Sequence, residues 1–111
     1  MGVQKTWATV LGVVFLAIGI IGFFTGDTLL VFGINTLHNV VHLVSGAILL
    51  WAGLSAKAPT KQVNTTFGVI YGLVGIVGFF GVLTFLNVNT SDNWLHLAIG
   101  VVSLAIGTMA D

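Results

Sequence analysis

Four apolar stretches dominate the chain: residues 7–24, about 36–54, about 67–86 and about 93–109. A hydrocarbon core about 30 Å thick takes roughly 20 helical residues to cross, and each stretch is close to that length. Backbone groups in lipid must be satisfied within a helix or a closed barrel. Barrel strands alternate apolar and polar residues in segments of about ten, and no such alternation occurs here. The pattern predicts an all-α integral membrane protein, a four-helix transmembrane bundle forming one domain over residues 1–111. Charge supports this solvent assignment. Three Lys+Arg and three Asp+Glu make 5% charged residues, where soluble domains carry about 25%. Such a chain cannot cover itself with polar surface, which excludes a soluble enzyme. Three lysines without an arginine cannot build a nucleic-acid footprint. The lack of cysteine removes disulfides, thiolate nucleophiles and cysteine metal sites.

The placement of the six charges predicts topology. Lys5 precedes the first span, and Lys57 and Lys61 lie in the 55–66 connection, which also holds the only proline, Pro59. Four spans put these segments on one side, with the C-terminal Asp111, while Asp27 and Asp92 fall on the other. The positive-inside rule places both termini and the 55–66 loop in the cytoplasm. The expected location is a bacterial inner or thylakoid-type membrane. The 25–35 and 87–92 connections carry turn and cap residues, and the run 29–34 is too short to span, so it is expected at the interface or capping the bundle. No small-x-small cleavage site precedes Asp27, which argues against a removable signal peptide. Trp7, Trp51 and Trp94 fall near the expected interfaces, as anchors do.

The two halves are related. Residues 11–24 align with 67–80 at an offset of 56, including Gly12/Gly68, Gly19/Gly75 and Gly22/Gly78. Residues 35–53 align with 89–107 at an offset of 54, including Asn35/Asn89, Thr36/Thr90, Asn39/Asn93 and His42/His96. The polar identities mark a tandem duplication of a helical hairpin, with repeat 1 about 7–54 and repeat 2 about 67–109. Two spans per repeat give both copies the same orientation, related by an axis along the membrane normal.

The strings Asn35-Thr-Leu-His-Asn-Val-Val-His-Leu43 and Asp92-Asn-Trp-Leu-His-Leu97 resemble the paired signatures of a bacterial family known as domain of unknown function 4383. The resemblance runs from Gly12 to about Gly107 and implies a small four-helix membrane protein. It brings no catalytic residues.

One stripe carries the chemistry. Residues 35, 39, 42, 46, 49 and 53 are spaced alternately four and three apart, the seam of a left-handed helix pair. They align Asn35, Asn39, His42, Gly46 and Gly53, and the fourth span repeats this as Asn89, Asn93, His96, Gly100 and Gly107. Helices in lipid associate through close packing at small residues, so the glycine seam and its histidines are expected to face inward. Three readings of the layer stand. In the first it is a satisfied polar network, with Asn39, Asn93 or Asp92 capping helix starts and the imidazoles bonded across the interface. In the second, His42 and His96, with His38, Asn39 and Asn93 around them, hold a chlorophyll or haem, with Gly22 and Gly78 leaving room for a macrocycle. Phe23, Phe24, Phe79, Phe80 and Trp94 would then flank the ring. In the third, His38, His42, Asp92 and His96 hold a small metal ion of the zinc or copper type. His38 aligns with Asp92, so an ion pair between them is expected if both face the axis.

No charge lies mid-span, where only Ser45, Ser103 and Tyr71 are polar, which argues against a transporter or proton pump. No nucleophile–base arrangement occurs. The expectation is a non-catalytic accessory subunit whose partners are the lipid bilayer and other membrane-protein subunits or its own copies, with a cofactor-binding subunit as the alternative.

Overall fold

A computed structural model describes residues 2–109; Asp111 lies outside them. Four helices account for nearly all of it: α1 (Val3–Gly22), α2 (Thr36–Leu54), α3 (Thr60–Gly78) and α4 (Thr90–Gly107). Packing is closest between α1 and α2 and between α3 and α4, with looser contact between the two hairpins. The all-helical, four-helix expectation is met. By length and composition, two of the helices, α1 and α2, could cross a membrane. The other two open on polar turns: Thr60, Lys61, Gln62, Asn64, Thr65 and Thr66 in α3, and Thr90, Ser91, Asp92 and Asn93 in α4.

The third helix departs most from expectation. It covers residues 60–78 rather than 67–86, and the 55–66 loop shrinks to 55–59. Pro59 stands at the N-cap, where its missing N–H costs nothing and its ring disfavours helix in the residue before it. The far end breaks because Gly81 takes φ +72°, and the chain then makes a 3₁₀ turn at Thr84–Leu86. Hydropathy continues through this break; helical geometry does not.

Between α1 and α2, β1 (Thr28–Leu29) and β2 (Phe32–Gly33) form a minimal antiparallel hairpin. It closes one end of the bundle, with Ile34 buried beneath it. The Asn87 side-chain amide donates to the Asp27 and Ile34 carbonyls at 3.0 and 2.7 Å. The run expected at an interface or over the bundle end is therefore the cap.

The duplication holds in three dimensions. A Cβ on Gly12 would come within 2.6 Å of the Leu50 nitrogen, and one on Gly68 within 2.5 Å of the Leu104 nitrogen. Gly53 lies against Thr9 as Gly107 lies against Thr65, and Gly22 against Asn39 as Gly78 against Asn93. Each member of these pairs maps onto its partner by 56 residues in the first helix and 54 in the second. The glycines thus seal each hairpin internally by close backbone approach. The interface between hairpins is made instead by Leu11, Phe15, Leu49 and Tyr71, all buried.

The end of the bundle opposite the β-hairpin is polar, with Gln4, Thr60 and Asn64 buried within it. Lys5 Nζ donates to the Ala52 and Ser55 carbonyls at 3.2 and 2.7 Å and to Thr60 Oγ1 at 2.7 Å. Lys61 reaches the Met109 carbonyl. Both lysines therefore meet carbonyls at or just past helix C-terminal ends, where a cation complements the helix dipole. The hairpins cap each other: Gln4 Nε2 donates to the Ile106 carbonyl at 2.5 Å, and Thr60 Oγ1 to the Ala52 carbonyl at 2.6 Å. Asn64 Nδ2 in turn donates to Gln4 Oε1 at 2.9 Å. Trp7 belongs to this interior too, its Nε1 donating to Ser103 Oγ at 2.9 Å, so it does more than anchor an interface.

Candidate functional site

The histidine layer sits under the β-hairpin. Asn35 caps α2 by accepting the His38 N–H at 2.8 Å. Asn89 caps α4 in a reciprocal capping box with Asp92. These caps fix where the helices start, and so the height of His38 and His42 on α2 and of His96 on α4. The caps are Asn35 and Asn89; Asn39 and Asn93, expected in that role, are one turn further in and press their side-chain oxygens against Gly22 and Gly78. An asparagine therefore already fills the space that those glycines were expected to leave for a macrocycle.

Three imidazoles converge. His38 and His42 have ring centroids 4.4 Å apart, His38 and His96 5.6 Å, and His42 and His96 6.2 Å. Each is at most 5% exposed. One nitrogen from each ring lies within 4.8 Å of the others. An aromatic frame holds them: Phe15 stacks on His42 at 5.2 Å and on Tyr71 at 5.0 Å, and Tyr71 meets His96 edge-on at 5.5 Å. Tyr71 is itself tied to Ser45 Oγ at 2.8 Å. Phe15 and Tyr71 are equivalent positions of the two repeats, a role that their aromatic alignment in the duplication could have signalled.

The hydrogen-bond inventory departs from the satisfied network expected. Nδ1 of His42 and Nδ1 of His96 are buried without a partner, as are Oδ1 of Asn39 and Asn93, whereas the His38 ring lies against the backbone of Gly33 and Leu86. A buried polar group left unbonded costs about 1–3 kcal/mol, and native structures hold few. Two such nitrogens here fall on rings that both pack against His38.

Asp92 does not join them. Its Oδ2 accepts the Asn89 N–H at 2.8 Å and the Gly33 N–H at 2.9 Å. No His38–Asp92 ion pair closes among the described residues, although the two groups are near enough to interact electrostatically; both backbone bonds fall on Oδ2. It ties β2 to α4, a role that alignment with His38 does not reveal. Of the expected metal set, the structure brings His38, His42 and His96 together and assigns Asp92 to the tether.

Two apolar clefts flank the layer and are equivalent under the repeat. One, of about 250 Å³, lies between α1 and α4, with Val14, Phe15, Ile18 and Leu95 in its walls and the β-hairpin over it. The other, of about 240 Å³, lies between α2 and α3, with Ile70, Tyr71, Val74 and Val41 at the matching positions. His42 and His96 border both. With His38 wedged against both other rings, no flat slot separates His42 from His96. Phe24, Phe80 and Trp94, the expected flanks of a pigment ring, are 85%, 76% and 61% exposed on the outside of the bundle.

Fold and site together define a class: a four-helix bundle of two tandem glycine-sealed hairpins enclosing an imidazole cluster. The chain belongs to the family described as Domain of unknown function (DUF4383), whose model matches residues 5–109. No curated protein and no solved structure matches it.

Proposed function

We propose that the chain is an integral membrane protein serving as a non-catalytic accessory subunit, its four helices in the bilayer and both termini cytoplasmic. The observation that carries this reading is the apolar girdle. Val13, Ile20, Val44, Leu73, Ile76 and Val101 are each at least 45% exposed and are drawn from all four helices. Monomeric soluble proteins rarely expose contiguous apolar patches beyond a few hundred Å², and lipid or a membrane partner satisfies such a surface. Lys5, Lys57 and Lys61 lie at one end of the girdle, and Asp27 and Asp92 belong to the other. That asymmetry supports the lysine end facing the cytoplasm. The helices are held by backbone approach inside each hairpin, leaving the outward faces free to meet lipid or a neighbouring subunit.

The native chain has no cysteine, so single introduced thiols report sidedness. Lys57→Cys should label from the cytoplasmic side and Leu30→Cys from the opposite side. Labelling of both from one side, or recovery of the protein in the soluble fraction, overturns the topology. For the accessory role, photo-crosslinkers at Leu73 and Val101 in native membranes should give discrete adducts with the chain itself or another membrane subunit. Adducts to lipid alone from both positions would remove that role.

A further inference from the structure

We propose that His38, His42 and His96 bind one late first-row transition-metal ion, of the zinc or copper class, at the junction of the two hairpins. The argument starts from cost. The Nδ1 atoms of His42 and His96 are buried with no hydrogen-bond partner, in residues at most 5% exposed. Sequence periodicity alone accounts for His38 meeting His42, since the two are four apart on one helix. It does not explain why His96, from the other hairpin, brings a nitrogen within 4.8 Å of both. A metal ion accounts for that convergence, because it takes one nitrogen lone pair from each of the three rings.

The geometry is close to what an ion requires. Zinc holds imidazole nitrogen at about 2.0–2.1 Å with tetrahedral angles, which sets neighbouring ligand nitrogens roughly 3.3 Å apart. Small ring rotations close a triangle whose atoms already lie within 4.8 Å. The donor set selects the class. An all-imidazole site suits zinc, copper, nickel or iron and disfavours magnesium and calcium, which want oxygen. Three protein ligands leave one coordination position, and His42 and His96 each border two apolar clefts, so that position is available to water or a small uncharged ligand. Asp92, which lines the α1–α4 cleft, supplies negative charge near the ion while its carboxylate stays on the Gly33 and Asn89 amides. Phe15 and Tyr71 brace the rings from the other side.

The site crosses the hairpin interface, so metal should bind the assembled bundle and stabilise it. The test uses the full chain, purified in detergent after chelation, with Zn(II), Cu(I) and Co(II) added separately. The expected results are one ion per chain, a visible Co(II) spectrum of tetrahedral nitrogen coordination, and a higher Tm with added metal. His38→Gln, His42→Gln and His96→Gln should each weaken binding by about 100-fold or more, with the apo Tm of each serving as the folding control. Wild-type protein that takes up none of the three ions stoichiometrically overturns the proposal, and that result needs no variant. Equal affinity in folded His→Gln variants overturns it as well, by placing the ion elsewhere.

Discussion

Asn39 occupies the space that a side chain on Gly22 would need, and Asn93 stands in the same relation to Gly78. The relationship is one of shape, since neither side-chain oxygen has a hydrogen-bond partner. Gly22→Ala or Gly78→Ala should therefore destabilise the bundle by about 1–3 kcal/mol through overpacking. Pairing Gly22→Ala with Asn39→Ala should recover much of the loss. Thermal unfolding in detergent measures both, and no recovery in the double variant would mean that the glycine is needed for some other reason.

Asp92 bridges the β-hairpin cap to α4 through two backbone amides. Asp92→Ala strands both donors and should cost about 1–3 kcal/mol, with faster amide exchange at Gly33 and Ile34. Asp92→Asn keeps an acceptor oxygen and should lose less. Unchanged exchange at Gly33 in Asp92→Ala would show that the cap is held by Asn87 and Asn89 without Asp92.

The two copies differ where Tyr71 bonds Ser45, because Phe15 and Ile99 stand at the equivalent positions. Phe15→Tyr should destabilise the protein by about 1–3 kcal/mol, since it buries a hydroxyl without a partner. Adding Ile99→Ser supplies the second copy's bond to the first and should recover part of that cost. A double-mutant cycle reads the coupling directly, and strict additivity would contradict the proposed equivalence of the two clefts.

Lys5 and Lys61 close equivalent helix ends in different surroundings. The contacts of Lys5 are partly buried, whereas that of Lys61 is exposed. Lys5→Met should lower the Tm clearly, and Lys61→Met should do so much less, because exposed charge contacts contribute little. Equal losses would mean that the two ends are equally shielded from solvent.

The duplication and the four helices were legible because both are written in residue type: glycines seven apart and polar identities at a fixed offset. The third helix was misplaced because hydropathy is blind to a backbone turn. The 67–86 run stays apolar across Gly81, whose φ of +72° ends any helix there, while the true start at Thr60 lies in polar sequence after Pro59. The repeat also reaches further than its apolar part suggests, since Lys5/Lys61 and Thr9/Thr65 are identical at the same offset of 56. That signal pointed to the polar end and was available. The sequence suggests His38, His42 and His96 as one ligand set from residue type, and only the pairing of His38 with His42 follows from helical spacing. The meeting of His38 with His96 depends on how the two hairpins cross, which no local pattern encodes. The role of Asp92 was hidden for the same reason, because Gly33 approaches it from 59 residues away.

The divergence at positions 38 and 92 has an arithmetical consequence. Two identical hairpins paired about a twofold axis can present imidazoles only in even numbers, and a carboxylate tether on one would recur on the other. Three imidazoles beside a single carboxylate tether is an odd set, closed to any symmetric pair and open to a chain whose two halves are free to differ. Fusion of the repeats therefore did more than fix their stoichiometry. It allowed one half to carry a second histidine, His38, where the other carries Asp92, which ties the β-hairpin to α4.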